Sequence, residues 1–391
     1  MVIDVPRSAH VHSLVNGGTF TRLDKSNRTL SAEEITDLSY RRGTRSAVSD
    51  PVPIALDRLN TPTWRRFLER RGALSGSMAE QLLSIGLAVQ GSDGQVQPLR
   101  AAVLLFADEP GSLLAAHGTR ADVRVFVYDG KGVVAGAVPN LRKEPKTIRG
   151  PLIDQIERTV QTVMDELALG VTLSGSGFRT RHVYPERVVK EAIVNAIVHR
   201  DYRLNRDIAV RIFDDHIEIE SPGLLPKGIT PATVHQADSK ARNDLIAANL
   251  RDFPAPPNFD AGEGVKMMFA EMNRAKLYPP LYRENPERAI ETLTVHLLNH
   301  ERPSAWDQVN EWLHRHGVVA NADVARMAGV DTLRASKLLI AWRDQGLLVP
   351  LPGRAKRNMA YARPETPALE GASGLFAGLT ENRSERAGKP R

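Results

Sequence analysis

The chain has 391 residues, with 52 Lys and Arg against 46 Asp and Glu, a formal net charge of +6, and no cysteine. At roughly 100–200 residues per domain this length implies two or three domains, and the 42% apolar share supports sizeable cores. The absence of thiols excludes disulfides, thiolate metal ligands and cysteine nucleophiles, and fits a reducing cytoplasm.

Met1 to Arg7 shows no basic start leading into a long apolar run, so no signal peptide is read. No apolar stretch approaches the ~18 residues of a membrane span. Residues 1–48 read as a short strand-rich piece followed by a helix, with Ser31 as N-cap and Glu33 and Glu34 in the first turn. Ser49-Asp50-Pro51-Val52-Pro53 is a break, and a helical connector runs from about Ala55 to Leu87. The apolar run Arg100–Phe106 reads as a buried strand, and Asp122–Tyr128 alternates and turns at Asp129-Gly130. A long helix from Pro151 to Leu169 carries the stripe Ile153, Ile156, Val160, Val163 and Met164.

Pro185 to His199 forms a helix with two faces. Glu191, Asn195 and His199 recur every four residues on one side. Val189, Ile193, Ala196 and Ile197 line the other. A hairpin follows, Ile208–Phe213 and His216–Glu220, ending at Ser221-Pro222-Gly223. Residues 227–264 have little periodicity and several Pro and Gly, the pattern of a functional loop or lid. Gly264–Arg274 reads as a helix and Thr292–Leu298 as a closing strand. A helix-rich module begins at Pro303, and from about Glu365 the composition is that of a disordered tail.

Three signals occur in order: Glu191 and Asn195 on one helical face, a strand running into a Pro-Gly turn, and Gly262-Glu263-Gly264-Val265-Lys266 opening a helix. A carboxylate one turn before a carboxamide can hold a water and a hard cation together, the chemistry of a magnesium-nucleotide site. Each signal alone has a plainer explanation: a solvated polar face, a turn, a Gly-x-Gly before a helix. A helix N-terminus also exposes N–H groups to phosphate.

In combination they resemble the GHKL ATP-binding fold, or Bergerat fold, of gyrase, MutL and histidine kinases. The closer resemblance is to a prokaryotic family of transcriptional regulators whose nucleotide domain carries Glu-x-x-x-Asn-Ala-x-x-His-Arg-Asp-Tyr. That motif is complete here, from Glu191 through Asn195, Ala196, His199, Arg200 and Asp201 to Tyr202. The family's Pro-Gly-Gly-Leu-Pro turn is matched by Ser221-Pro222-Gly223-Leu224-Leu225-Pro226, with Leu224 in place of the second glycine. The lid's Arg-Asn pair is matched by Arg242 and Asn243, and the Gly-x-Gly by Gly262 and Gly264. The resemblance implies an α+β chain in which a Bergerat-type α/β sandwich over residues 101–300 precedes a winged helix-turn-helix at 303–364.

It further implies ATP and Mg2+ as cofactors. Asn195 coordinates Mg2+, and Glu191 orients or deprotonates water if hydrolysis occurs. Either Glu220 or Ser221 accepts from the adenine amino group. Gly262, Gly264 and Lys266 contact the phosphates, with Gly223, His199, Arg200, Arg242 and Asn243 counted among the nucleotide-binding residues. Arg200 pairs with Asp201 or with a phosphate, and Tyr202 is core packing.

Residues 1–48 carry a second resemblance, to the last third of a Schlafen-type AlbA domain, through Val5-Pro6-Arg7-Ser8, Asn16-Gly17-Gly18 and Leu30–Ile35. The expectation is a remnant that caps the nucleotide domain rather than an active AlbA domain. In the C-terminal module, Asn321 is expected to cap one helix and Thr332 to open the next. Arg334, Ser336 and Lys337 would then face the DNA major groove, and Arg354, Lys356 and Arg357 would sit on a basic wing near phosphates. Expected partners are an adenine nucleotide, double-stranded DNA and a second subunit in a homodimer, with no membrane. The leading expectation is a cytoplasmic, ATP-binding transcriptional regulator; the alternatives are a working ATPase whose winged helix makes protein contacts, and a truncated relic.

Overall fold

Two hairpins and a set of short helices lead into the main sheet of the first unit, Met1–His300, and a second unit spans Glu301–Arg391. The computed structural model describes residues 10–364 except 16, 42–43, 73–74, 135, 137–138, 175–176, 227, 238–240, 258–262 and 353–358. The hairpin β1 (Phe20–Leu23) and β2 (Ser26–Thr29) precedes α1 (Ala32–Arg41), as the sequence suggests. Ser31 and Glu34 hold each other's backbone N–H groups at its start. The connector is less continuous than expected. It contains a 3-10 turn at Leu56–Leu59, α2 (Pro62–Arg71), α3 (Met78–Ser84) and the hairpin β3 (Ala88–Gln90) and β4 (Val96–Pro98). Thr61 caps α2, accepting from Trp64 N–H at 3.3 Å, and donates its hydroxyl to the Phe106 carbonyl at 2.6 Å.

The run Arg100–Phe106 is helix α4, not a strand. Six of its seven residues, Ala101 through Phe106, are fully buried, so the segment has no polar face to reveal a period. Phe106 joins Trp64, Phe67 and Phe253 in an aromatic cluster with centroids 4.8–6.4 Å apart. The connector is thereby part of the same core as the sheet.

After α5 (Pro110–Ala115) come β5 (Val123–Val127), β6 (Lys146–Ile148), α6 (Leu152–Glu166), a hairpin of β7 (Ala168–Ser174) and β8 (Gly177–His182), and α7 (Glu186–His199). Then follow β9 (Ile208–Ile212), β10 (His216–Pro222), α8 (Asp244–Leu250), α9 (Gly264–Arg274), β11 (Leu281–Asn285) and β12 (Thr292–Leu298). Helix α8 lies inside the stretch expected to be irregular. The sheet order is β11-β12-β10-β9-β5-β6, antiparallel except between β5 and β9. Strand alternation splits the side chains between two faces. Val125, Val127, Val210, Ile212, Ile217, Ile219, Val295 and Leu297 enter the core with α6 and α7. Phe126, Arg211, Phe213, His216, Glu218, Glu220 and His296 point to the opposite face.

The second unit is α10 (Ser304–His316), β13 (Val318–Ala320), α11 (Asn321–Ala328), α12 (Thr332–Asp344), β14 (Val349–Pro350) and β15 (Ala360–Ala362). The strands form an antiparallel sheet in the order β13-β15-β14. Val309, Leu313, Val324, Leu339 and Trp342 form its core, where Trp306 lies 5.0 Å from Trp342. Asn321 does not cap α11: its Oδ1 is buried with no hydrogen-bond partner, and Asp323 accepts from Ala320 N–H at 3.0 Å instead. Thr332 opens α12 as expected, and Asp331 before it is the cap, accepting from Arg334 N–H at 2.7 Å. Arg354, Lys356 and Arg357 lie outside the described residues, as does the segment beyond residue 364. Among the described residues no helix is long and apolar enough to cross a membrane.

Candidate functional site

Helix α7 owes its position to its apolar stripe. Val188, Val189, Ala192, Ile193, Val194, Ala196, Ile197 and Val198 are all buried. Between Glu191 and Arg200, the residues that keep partial exposure are Glu191, Asn195 and His199, one per turn. They form a polar line along the later turns of α7, which are otherwise sunk into the core; Glu186 and Arg187 at its start are exposed. Asn195 Nδ2 donates to Glu191 Oε1 at 3.1 Å, so carboxylate and carboxamide act as a pair. Burial pushes the Glu191 carboxyl above its ordinary range, against the opposing pull of Asn195, Lys190 and Arg187.

The N-terminus of α9 meets this line. A Cβ built on Gly264 would stand 1.8 Å from Glu191 Oε1, so only glycine allows this approach. Lys266, in the first turn of α9, is exposed. Gly262 lies outside the described residues. Tyr282 closes the buried side; its hydroxyl donates to Met268 Sδ at 3.9 Å, and burial followed by the Glu191 charge pushes that hydroxyl up.

At the C-terminal end of α7 the motif residues turn inward. Arg200 is 1% exposed and donates from Nη2 to the carbonyls of Arg120, Leu204 and Arg206 at 2.6, 3.3 and 2.7 Å. Its guanidinium stacks 4.8 Å above the Tyr202 ring. Arg200 therefore organises loops from a buried position, while its Nε and Nη1 make no hydrogen bond. Tyr202 is core, as expected, with its hydroxyl donating to the Ile197 carbonyl at 2.9 Å. Asn243 is likewise structural. Its amide donates to the carbonyls of Val198 and Arg200 at 2.7 and 2.9 Å, closing the end of α7.

Asp201 is a buried node. Arg203 binds it at 2.6 Å and Arg242 approaches at 3.5 Å, and these partners hold its carboxyl below its ordinary range despite burial. Arg242 also donates to the Leu224 carbonyl, and its backbone N–H to His199 Nδ1 at 3.5 Å. Gly223 has φ +102°, and a Cβ there would stand 2.5 Å from Arg242 Nη1. Sequence reasoning missed the extension of this node to α1. Arg203 pairs with Asp37 at 2.6 Å and lies 4.7 Å over the Tyr40 ring. No spacing in the sequence links residues so far apart.

The alternation of β10 separates the two adenine candidates. Ser221 faces α7, with its hydroxyl donating to the Ala196 carbonyl at 3.0 Å. Glu220 points to the opposite face, held by Arg206 at 2.6 Å, Arg288 at 2.8 Å and Arg211 at 3.4 Å. In the second unit Arg334 and Lys337 are exposed on α12 and Ser336 is half-buried.

Residues 205–293 match the family described as "Putative ATP-dependent DNA helicase recG C-terminal", HATPase_c_4. This segment runs from β9 into β12, so an ATPase-like domain of the nucleotide-binding kind occupies that part of the sheet; the match begins after α7. Among solved structures, the DIP2311 protein from Corynebacterium diphtheriae aligns with a TM-score of 0.48 at 18% identity, covering 94% of this chain and 74% of that one. No curated protein matches the chain.

Proposed function

We propose that the first unit binds Mg-ATP along the polar line of α7 and that the second unit is a winged helix-turn-helix that binds DNA, making the protein a nucleotide-responsive transcriptional regulator. The observation that carries the nucleotide site is the Glu191–Asn195 pair together with the close approach of Gly264, at the start of α9, to the Glu191 carboxylate. The donor set suits Mg2+, which prefers hard oxygens: Asn195 supplies an amide oxygen, and Glu191 lies one turn away. The first turn of α9, with Gly264 and Lys266, suits phosphate through its unpaired N–H groups and a lysine. Gly262 would extend that cradle. Ser221, Gly223, His199 and Arg242 would complete the site, and Ser221 is favoured over Glu220 for the adenine because it lies on the same face as α7. The bound nucleotide supplies the triphosphate charge that the metal neutralises.

DNA contact by the second unit is favoured by the exposed Arg334 and Lys337 on α12 and by the basic residues Arg354, Lys356 and Arg357 that follow in sequence. A test is DNA affinity and protomer assembly measured with and without saturating Mg-ATP. The reading predicts that at least one changes, and it fails if neither does.

A second reading, slow ATP hydrolysis, is favoured by the place of Glu191 on the partly exposed line of α7, one turn from Asn195 and bonded to it at 3.1 Å, where a carboxylate can orient or deprotonate water. Phosphate release that survives Glu191→Gln would contradict it.

A further inference from the structure

On the face of the sheet opposite α7, a second polar constellation lies at the edge of a cavity of about 360 Å3. Glu218 on β10 stands directly opposite His296 on β12 in the antiparallel register, and His216 precedes Glu218 by two residues on the same face. Glu218 Oε1 is 3.5 Å from His216 Nε2 and 3.6 Å from His296 Nδ1. All three potential ligand atoms lie within 4.8 Å of one another.

We propose that His216, Glu218 and His296 form a zinc-binding site, independent of the nucleotide site, with its fourth position open to the cavity. Two imidazoles and one carboxylate are a donor set for four-coordinate zinc that keeps a place for water or an oxyanion. Zinc–ligand bonds of about 2.0–2.1 Å put neighbouring donors of a tetrahedron roughly 3.3 Å apart. The two separations from Glu218 are close to that value, and the histidine donors lie within 4.8 Å of each other.

The surroundings orient the donors as zinc sites do. Asp215 Oδ1 lies 2.7 Å from His216 Nδ1, an arrangement that fixes the proton there and turns Nε2 toward Glu218. Phe213 stacks on the His216 ring at 4.6 Å and 19°, which sets its plane. Arg211 takes the other Glu218 oxygen, Oε2, at 3.5 Å, leaving Oε1 to the histidines. Lys131 lies 3.4 Å from Asp215, and Arg283 and Arg288 line the cavity. These cations favour an anion, rather than a second metal, at the open position. The competing explanation is a protonated His216 bridging Asp215 and Glu218 without any metal.

The test uses the untagged full-length chain stripped with a chelator. Zinc is titrated against a chromophoric competitor, and cobalt(II) is added to a second sample for its visible spectrum. The expected results are uptake of one equivalent, the intense bands of four-coordinate cobalt, and no displacement by excess Mg2+. Asp215→Asn should weaken uptake about 10–100-fold, and His296→Ala or Glu218→Gln should weaken it further. Absence of stoichiometric uptake, a weak six-coordinate cobalt spectrum, displacement by Mg2+, or wild-type affinity in both ligand variants would each overturn the proposal. The cobalt spectrum is read on the wild-type protein and so holds even if a variant misfolds.

Discussion

Glu191 and Gly264 touch so closely that each constrains the other. A methyl group at position 264 would collide with the carboxylate, and Gly264→Ala must shift either α9 or the Glu191 side chain. We expect a stability loss of about 1–3 kcal/mol, the usual cost of overpacking, together with weaker Mg-ATP binding; wild-type values for both in urea unfolding and nucleotide titration would refute this contact. Asp201 is the charge on which Arg203 and Arg242 converge. Asp201→Asn removes the charge that the two arginines share, leaving Arg203 with Asp37 alone. The expected loss is about 3 kcal/mol, the low end for breaking a buried pair, because each arginine side chain stays about a quarter exposed. The sign with pH follows from its depressed folded pKa. The stabilisation is complete above the unfolded value of about 3.9 and disappears as pH falls through the lower folded value. The difference in unfolding free energy between wild type and variant should therefore narrow in acid; a gap that stays constant to acid pH would contradict the ion-pair account.

At the level of elements, α7 was legible in the sequence because two periodic patterns coincide on it. Its apolar stripe fixed the buried side, and residues four apart fixed the line facing out. How the helix ends was not legible. The closing donors come from Asn243, more than forty residues on, and only the folded chain brings its amide to the Val198 and Arg200 carbonyls. Asn243→Ala should cost about 1–3 kcal/mol, because two buried carbonyls lose their donor. Hydrogen exchange should quicken in the last turn of α7 first, and uniform exchange along the helix would count against this role. The choice between Glu220 and Ser221 was undecidable from the sequence for a different reason. Adjacent residues on a strand face opposite ways, and nothing in the local pattern says which face α7 covers. Helix α4 was mistaken for a strand because a segment buried all round presents no periodicity.

At the scale of the whole molecule, two compact units with separate cores each carry their own candidate surface. The ATPase-like match covers the later part of the first unit's sheet, whereas the motif helix precedes it. For the second unit, Arg334 and Lys337 stand on the exposed side of α12. Replacing both with alanine should flatten the dependence of log affinity for DNA on log salt by about 1–2 units, since each phosphate contact contributes about 0.9. An unchanged slope would remove α12 from the DNA contact. The central claim, that the polar line of α7 holds Mg-ATP, is tested most directly by calorimetric titration of Mg-ATP into the wild type and Asn195→Ala. The account predicts one saturable site in the wild type and at least about tenfold weaker binding in the variant, a difference of about 1.4 kcal/mol. Equal affinity in the two proteins, or no binding to the wild type, would contradict it.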